Sequence, residues 1–257
     1  MVDGVLSAES VARTLEALGG FHARCEELGV KVLRAAGTSA LRDARNAKGL
    51  LAHCPFPVEV LTGEEEARVS YLAARRFAQT DAPAETVLDL GGGSTEVITG
   101  PAQIASYQVG ATRLTQDCLR GDPPTAQDVR RAEAAASEAL SGAPTSARTP
   151  AVLVGSTGLN VAGLVEAQRL GAPSGVAMEV EGYRLTRDDV CRQRVRLTGL
   201  TVDQIRALPG IRPERAPILL GGLIALQALL DQLALTEVTL SGKGLRYGLV
   251  AALCGDA

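Results

Sequence analysis

Lysine is scarce in this chain. Among 26 basic residues only Lys31, Lys48 and Lys243 are lysines, so any recognition of anions leans on arginine forks and backbone amides. A net charge of -3 argues against retention on nucleic acid by a general basic surface. The two histidines, His22 and His53, stand at no metal-ligand spacing from a cysteine. Neither accompanies a serine or cysteine motif, and no G-x-S-x-G occurs, which leaves no support for a catalytic triad. The five cysteines are odd in number and scattered, with no C-x-x-C pair; this suits a reducing cytoplasm and gives no zinc site. No apolar run reaches the roughly 18 residues of a membrane helix, and no basic segment followed by an apolar stretch opens the chain. The expectation is a cytoplasmic protein with no membrane partner and no repeats.

What is present fits an α/β protein. Hydrophobic residues make up 46% of 257 and charged residues 21%, enough for a substantial core and for two domains of ordinary size or one large one. Ser7 caps a helix with an apolar stripe of Val11, Leu15, Leu18, His22, Cys25 and Leu28, ending near Gly29. On that stripe His22 reads as a packed core residue. Val30 to Ala35 reads as a buried strand, Thr38 opens a turn and a short helix, and Val58 to Leu61 reads as a strand. A helix from Gly63 to about Ala78 precedes Thr80-Asp81-Ala82-Pro83, which sets a domain boundary: 1–80 and 81–257. Beyond it, strands are expected at Thr86 to Leu90, Thr95 to Thr99, near Ser106 to Val109, Ala151 to Val154 and Glu237 to Leu240. Helices are expected at about 125–140, from the Gly155–Gly158 turn through Leu164, and at 187–197, 202–207 and 213–232, with a final apolar helix.

The chemistry centres on Asp89-Leu90-Gly91-Gly92-Gly93-Ser94-Thr95-Glu96. Three glycines after a buried strand let the backbone approach a ligand closely. The amides of Gly91, Gly92 and Gly93, with the Ser94 and Thr95 hydroxyls, form a nest of donors for phosphate oxygens. Asp89 and Glu96 flank the nest, and carboxylates beside phosphate call for a cation between them, Mg²⁺ by preference.

Other segments are ambiguous on their own residues. Thr62 and Glu65 in Thr62-Gly63-Glu64-Glu65-Glu66 fit a capping box, which makes the acidic run a well-capped helix as readily as a catalytic base. Thr38-Ser39-Ala40-Leu41-Arg42 reads either as a ligand turn at a strand's carboxyl end or as a cap with a surface arginine. Gly155-Ser156-Thr157-Gly158 is a second glycine turn after a strand. Ser241-Gly242-Lys243-Gly244 lacks the spacing of a nucleotide-binding phosphate loop.

Four segments in order, Gly37 to Asn46, Leu61 to Arg68, Val87 to Glu96 and Leu240 to Arg246, resemble the exopolyphosphatase and guanosine pentaphosphate phosphohydrolase family of the actin-like superfamily. The pairing of G-x-E-E-A with D-x-G-G-G-S-T-E is the specific part. The resemblance implies a two-lobed actin-like (ribonuclease H-like) fold and hydrolysis of inorganic polyphosphate or guanosine pentaphosphate. By position it implies Glu66 as base for the attacking water and Asp89 and Glu96 as metal and water ligands. It implies Arg42 over the phosphoryl group, and Gly110, Arg113 and Arg215 as further phosphate contacts. A homodimer is also implied. The chain departs from the pattern in three ways: the first strand and its D-x-G-S-N-S loop are not found, so the first lobe lacks its N-terminal phosphate-loop hairpin; Leu159 stands for a threonine; and Tyr247 stands for a glutamate. The expectation is either a start called too late or a degraded relative that binds without turnover. An actin-like phosphotransferase fits the fold but not the G-x-E-E-A segment.

Overall fold

Apolar alternation and glycine-bounded runs give a mixed α/β protein; the computed structural model describes residues 4–100, 103–173, 176 and 178–255. The chain divides into two compact units, 1–66 and 67–257.

In the first unit Ser7 caps α1 (Ala8–Glu27) by accepting the Ser10 amide, and Gly29 follows with positive φ. The expected stripe is the less exposed side of α1 from Val11 to Cys25, yet no residue of the helix is buried, and Leu28 is exposed. His22 is therefore no core residue: its side chain is 40% exposed, beside Phe56. The expected strand from Val30 to Ala35 is also absent. Pairing starts only at β1 (Ala36–Gly37), parallel to β2 (Glu59–Val60), and Val30, Val32 and Leu33 are exposed. A strand needs a ladder partner, and among the described residues Val30 to Arg34 has none. Between the strands lie α2 (Ser39–Asp43) and α3 (Ala47–Leu51). Asn46 ties this region to the chain before α1 through both polar atoms of its side-chain amide, Leu6 N–H donating to Oδ1 at 2.9 Å and Nδ2 donating to the Leu6 carbonyl at 3.0 Å.

Helix α4 (Gly63–Phe77) starts in the first unit and continues into the second. The division after Glu66 lies upstream of the boundary expected at Asp81 because Ala67 and Ala74 of α4 pack on Val87, Ile98, Val152 and Val154 of the second unit's sheet. That unit continues as β3 (Thr86–Leu90), β4 (Thr95–Thr99), β5 (Ile104–Tyr107), α5 (Ala111–Cys118), α6 (Ala126–Ala139), β6 (Ala151–Val154) and α7 (Ser156–Leu170). It ends with β7 (Arg184–Thr186), α8 (Arg187–Thr198), α9 (Val202–Arg206), α10 (Ala216–Gln232), β8 (Glu237–Ser241) and α11 (Leu245–Leu253). The sheet order is β5-β4-β3-β6-β8-β7, with β3, β6 and β8 parallel and the flanking strands antiparallel.

Period-two alternation gives the sheet two faces. Leu88, Leu90, Val97, Leu153, Val238 and Leu240 enter the main core with α5, α7, α8 and α10, while Val87, Ile98, Val152 and Val154 meet α4. The stretch Pro213–Gln232, a short 3₁₀ turn running into α10, is long and apolar enough to cross a membrane by length and composition; 61% of its apolar 18-residue window is buried inside the second unit's fold. Its apolar residues run all round, as a central core helix requires.

Helix α11 crosses α4 at a glycine. A Cβ on Gly248 would lie 2.0 Å from the Val69 carbonyl oxygen, which is backbone and cannot swing away. Gly248→Ala gains about 1 kcal/mol of helix propensity, against an overpacking cost of about 1–3 kcal/mol or more when backbone must move. The clash wins. The expected result is a lower Tm by calorimetry, about 2–4 °C for each kcal/mol lost; an unchanged or raised Tm would contradict this packing.

Candidate active site

The parallel arrangement of β3, β6 and β8 puts the turns after them at one end of the sheet, the carboxyl end where α/β proteins bind ligands. The triple-glycine turn follows β3. Its first amide, on Gly91, donates to the Ser94 carbonyl at 3.0 Å and closes the hairpin to β4. The three glycine carbonyls are all taken: Gly91 by the Ala111 amide, Gly92 by the Thr112 and Arg113 amides, and Gly93 by Arg113 Nε at 2.7 Å. These donors belong to the first turn of α5, whose amides have no partner inside the helix.

The consequence is geometric. In a trans peptide the N–H points opposite to the C=O before it. With the carbonyls of Gly91, Gly92 and Gly93 aimed at α5, the amides of Gly92, Gly93 and Ser94 point away from it. Three successive donors are thereby turned the same way. Gly110 makes this docking possible, since a Cβ there would lie 2.6 Å from the Gly92 oxygen and 2.8 Å from the Gly91 oxygen.

The site residues expected from the sequence therefore divide by what they touch. Gly92 and Gly93 present amides, Ser94 is buried at the end of the turn, and the Gly91 amide is occupied in closing the hairpin. Thr95 is buried and its hydroxyl donates to the Val109 carbonyl at 2.7 Å. Gly110 and Arg113 brace the turn from behind, Arg113 also reaching Gln108 Oε1 at 3.0 Å. Arg215 is exposed just before α10.

Asp89 and Glu96 face each other across β3 and β4, and Ser106 on β5 lies next along the same rung. Directly opposed residues point to the same face with Cβ atoms about 4.5–5.5 Å apart, so both acids project on the α4 side of the sheet. Ser70 Oγ of α4 donates to Asp89 Oδ2 at 2.5 Å, and Ser106 Oγ donates to Glu96 Oε1 at 2.7 Å. Among the described residues no group of three or more His, Cys, Asp or Glu side chains gathers as a metal cage.

The second turn is built on Gly155, whose φ is +113° and whose absent Cβ would lie 2.7 Å from the Leu90 oxygen. Asn160 secures the first turn of α7, its Nδ2 donating to the Ser156 carbonyl and its Oδ1 accepting the Arg212 amide. At the third turn Glu181 accepts from Ser241 Oγ at 2.8 Å and the Gly242 amide at 2.7 Å. Tyr247 packs edge-on to Phe77.

In the first unit, Arg42 Nη1 donates to Glu66 Oε2 at 2.7 Å and to the Leu61 carbonyl at 2.8 Å. Both side chains are largely buried, at 18% and 10% exposure. The arginine expected over a phosphoryl group thus holds the carboxylate expected to act as base. Glu65, one residue earlier, performs the capping: its Oε2 accepts the Thr62 amide at 2.7 Å and the Thr62 hydroxyl at 2.9 Å.

Sequence reasoning does not single out Ser70, Ser106, Glu181 or α5. Ser70 falls between Ala67 and Ala74 on the sheet-facing stripe of α4, a spacing visible in sequence; Ser106 acquires meaning only through the β4–β5 register.

Residues 2–256 match the family described as the Ppx/GppA phosphatase family. The chain belongs to that family. It is 32% identical over 271 residues to exopolyphosphatase 2 of Mycobacterium tuberculosis, covering 98% of this chain and 84% of the relative. The crystal structure of the Aquifex aeolicus Ppx/GppA family member matches with a TM-score of 0.78 at 25% identity, over 98% of this chain and 84% of that one. A Cytophaga hutchinsonii exopolyphosphatase shares the fold, with a TM-score of 0.81 at 24% identity over 99% and 85% of the two chains.

The split roles of the neighbouring acids give a pH prediction for this Ppx/GppA chain. The Thr62 amide, then its hydroxyl, hold the Glu65 carboxyl below the ordinary glutamate value of 4.5, with a smaller contribution from Arg34. A depressed carboxyl contributes stability that is complete above its unfolded value and lost as pH falls through the folded one. Urea unfolding of wild type and Glu65→Gln should differ most above pH 4.5 and converge below it. A difference that grows toward acid would contradict the capping role.

Proposed function

We propose that this chain is an exopolyphosphatase-type phosphohydrolase, which cleaves phosphoric anhydrides by water attack and releases terminal phosphate from inorganic polyphosphate. One observation supports it above the rest: the triple-glycine turn has its carbonyls bound by α5, so that the amides of Gly92 and Gly93 turn away from the helix as donors for an anion. The names of the curated relatives point the same way. We also read the fold as the two-lobed, actin-like form of the superfamily.

The cofactor we assign is Mg²⁺. The donors fit: Asp89 and Glu96 are hard oxygen ligands on one rung, and Mg²⁺ is usually held by one or two carboxylates, with substrate phosphates and water completing its shell. A cage of three or more protein acids is not required for such an ion, and none is formed among the described residues. When bound, the ion would neutralise charge on the phosphoryl oxygens.

The protein's own groups divide the remaining work. The amides of Gly92 and Gly93 donate to nonbridging oxygens of the terminal phosphoryl group, and these bonds strengthen as charge develops there. Glu66 accepts a proton from the attacking water, its carboxylate oriented by Arg42. Arg215, unburied and cationic, contributes attraction for a polyanion.

Phosphate release from polyphosphate of defined length, with Mg²⁺, tests the reading. Wild type should turn over, and Glu66→Gln should lose about 10²–10⁴-fold in kcat while remaining folded, with a lowered Tm because the largely buried Arg42 loses a charged partner. Equal rates in the two would remove Glu66 from the mechanism; no release by wild type would overturn the function.

A further inference from the structure

The two acids of the rung are each held by a serine from a different element. Ser70 is fully buried on α4, on the stripe that otherwise meets the sheet through Ala67, Tyr71 and Ala74. A hydroxyl in that apolar contact costs free energy unless it is hydrogen-bonded, and its partner is Asp89 Oδ2 at 2.5 Å. Ser106 lies beside Glu96 in the β4–β5 register and donates to Glu96 Oε1 at 2.7 Å, next to a carboxylate with no solvent exposure. Below them the same face is apolar, with Val87, Ile98, Ile104 and Val152. Polar side chains on this face thus gather at the end that carries the phosphate turn.

A serine hydroxyl has one proton to give. Donating it to one carboxylate oxygen fixes the rotation of that carboxylate about its last bond, and with it the direction of the second oxygen. Two acids on adjacent strands repel each other, and a free pair would swing apart. The hydroxyls, coming from two different elements, oppose that motion: Ser70 from the overlying helix and Ser106 from the outer strand.

We infer that Ser70 and Ser106 are positioning residues that hold Asp89 and Glu96 in the orientation needed to share one divalent cation. The inference rests on the assignment of Mg²⁺ to those two acids. It differs from a purely structural role in what it predicts. A serine that only satisfied a buried acid would change stability without changing cation affinity. A positioning serine changes affinity, because ordering the ligands beforehand removes that cost from binding, as outer-shell partners of metal ligands commonly do, with effects of about 10–100-fold.

The test uses Mn²⁺ as the probe, its binding to the full chain followed by loss of the free-ion paramagnetic resonance signal, without substrate. Wild type should bind, Glu96→Gln should not, and Ser106→Ala and Ser70→Ala should each weaken binding by about 10-fold or more. Ser106→Thr, which keeps the hydroxyl and suits a strand, should restore affinity to near that of wild type. Tm measured alongside separates unfolding from weakened binding, and Ser106→Thr supplies a folded comparison if Ser70→Ala fails to fold. Wild-type binding that Glu96→Gln abolishes but Ser106→Ala leaves unchanged would overturn the positioning role alone. No Mn²⁺ binding by wild type, or binding that Glu96→Gln leaves intact, would overturn the metal assignment and this inference with it.

Discussion

The site of this protein depends on a constraint of the peptide bond. A trans peptide cannot aim its carbonyl and its amide in the same direction. Once α5 captures the carbonyls of Gly91, Gly92 and Gly93, the following amides must face the other way. Helix amides normally favour anions directly; here those of Ala111, Thr112 and Arg113 bind the turn, and the turn presents donors of its own. Gly110 is where the arrangement is least tolerant, because the turn oxygens occupy the space a side chain would need.

The sheet then places acids beside those donors. Along β3 and β4 the α4-facing positions change from Val87 and Ile98 to Asp89 and Glu96 within one alternation. Small residues on α4 let the helix lie close over this face, and one of them is the serine that reaches Asp89. Burying Glu96 beside a second carboxylate is unfavourable by itself. Hydroxyl donors offset part of that cost, and a divalent cation would offset more.

Much of this is legible in the sequence because local chemistry dictates it. The strand–triple-glycine–strand unit, the capping box at Thr62 and Glu65, and the helices from α6 onward derive from glycine freedom, side-chain capping and periodicity. The illegible parts are set by partners distant in sequence. Val30 to Arg34 has the composition of a strand but no ladder to join. Helix α5 is short, and its importance lies in which carbonyls it meets. Position in the chain suggests phosphate ligands at Thr95 and Arg113, whereas their groups are engaged with Val109 and Gly93. The resemblance gives Arg42 and Glu66 separate roles, and the structure joins them as a pair.

The most direct measurement is amide hydrogen exchange, resolved by residue, with and without bound inorganic tripolyphosphate. Ala111, Thr112 and Arg113 should be protected in both states, since their amides already hold the turn. Gly92 and Gly93 should exchange rapidly in the free protein and become protected on binding. Binding that leaves the exchange of Gly92 and Gly93 unchanged would contradict the claim that this turn holds phosphate.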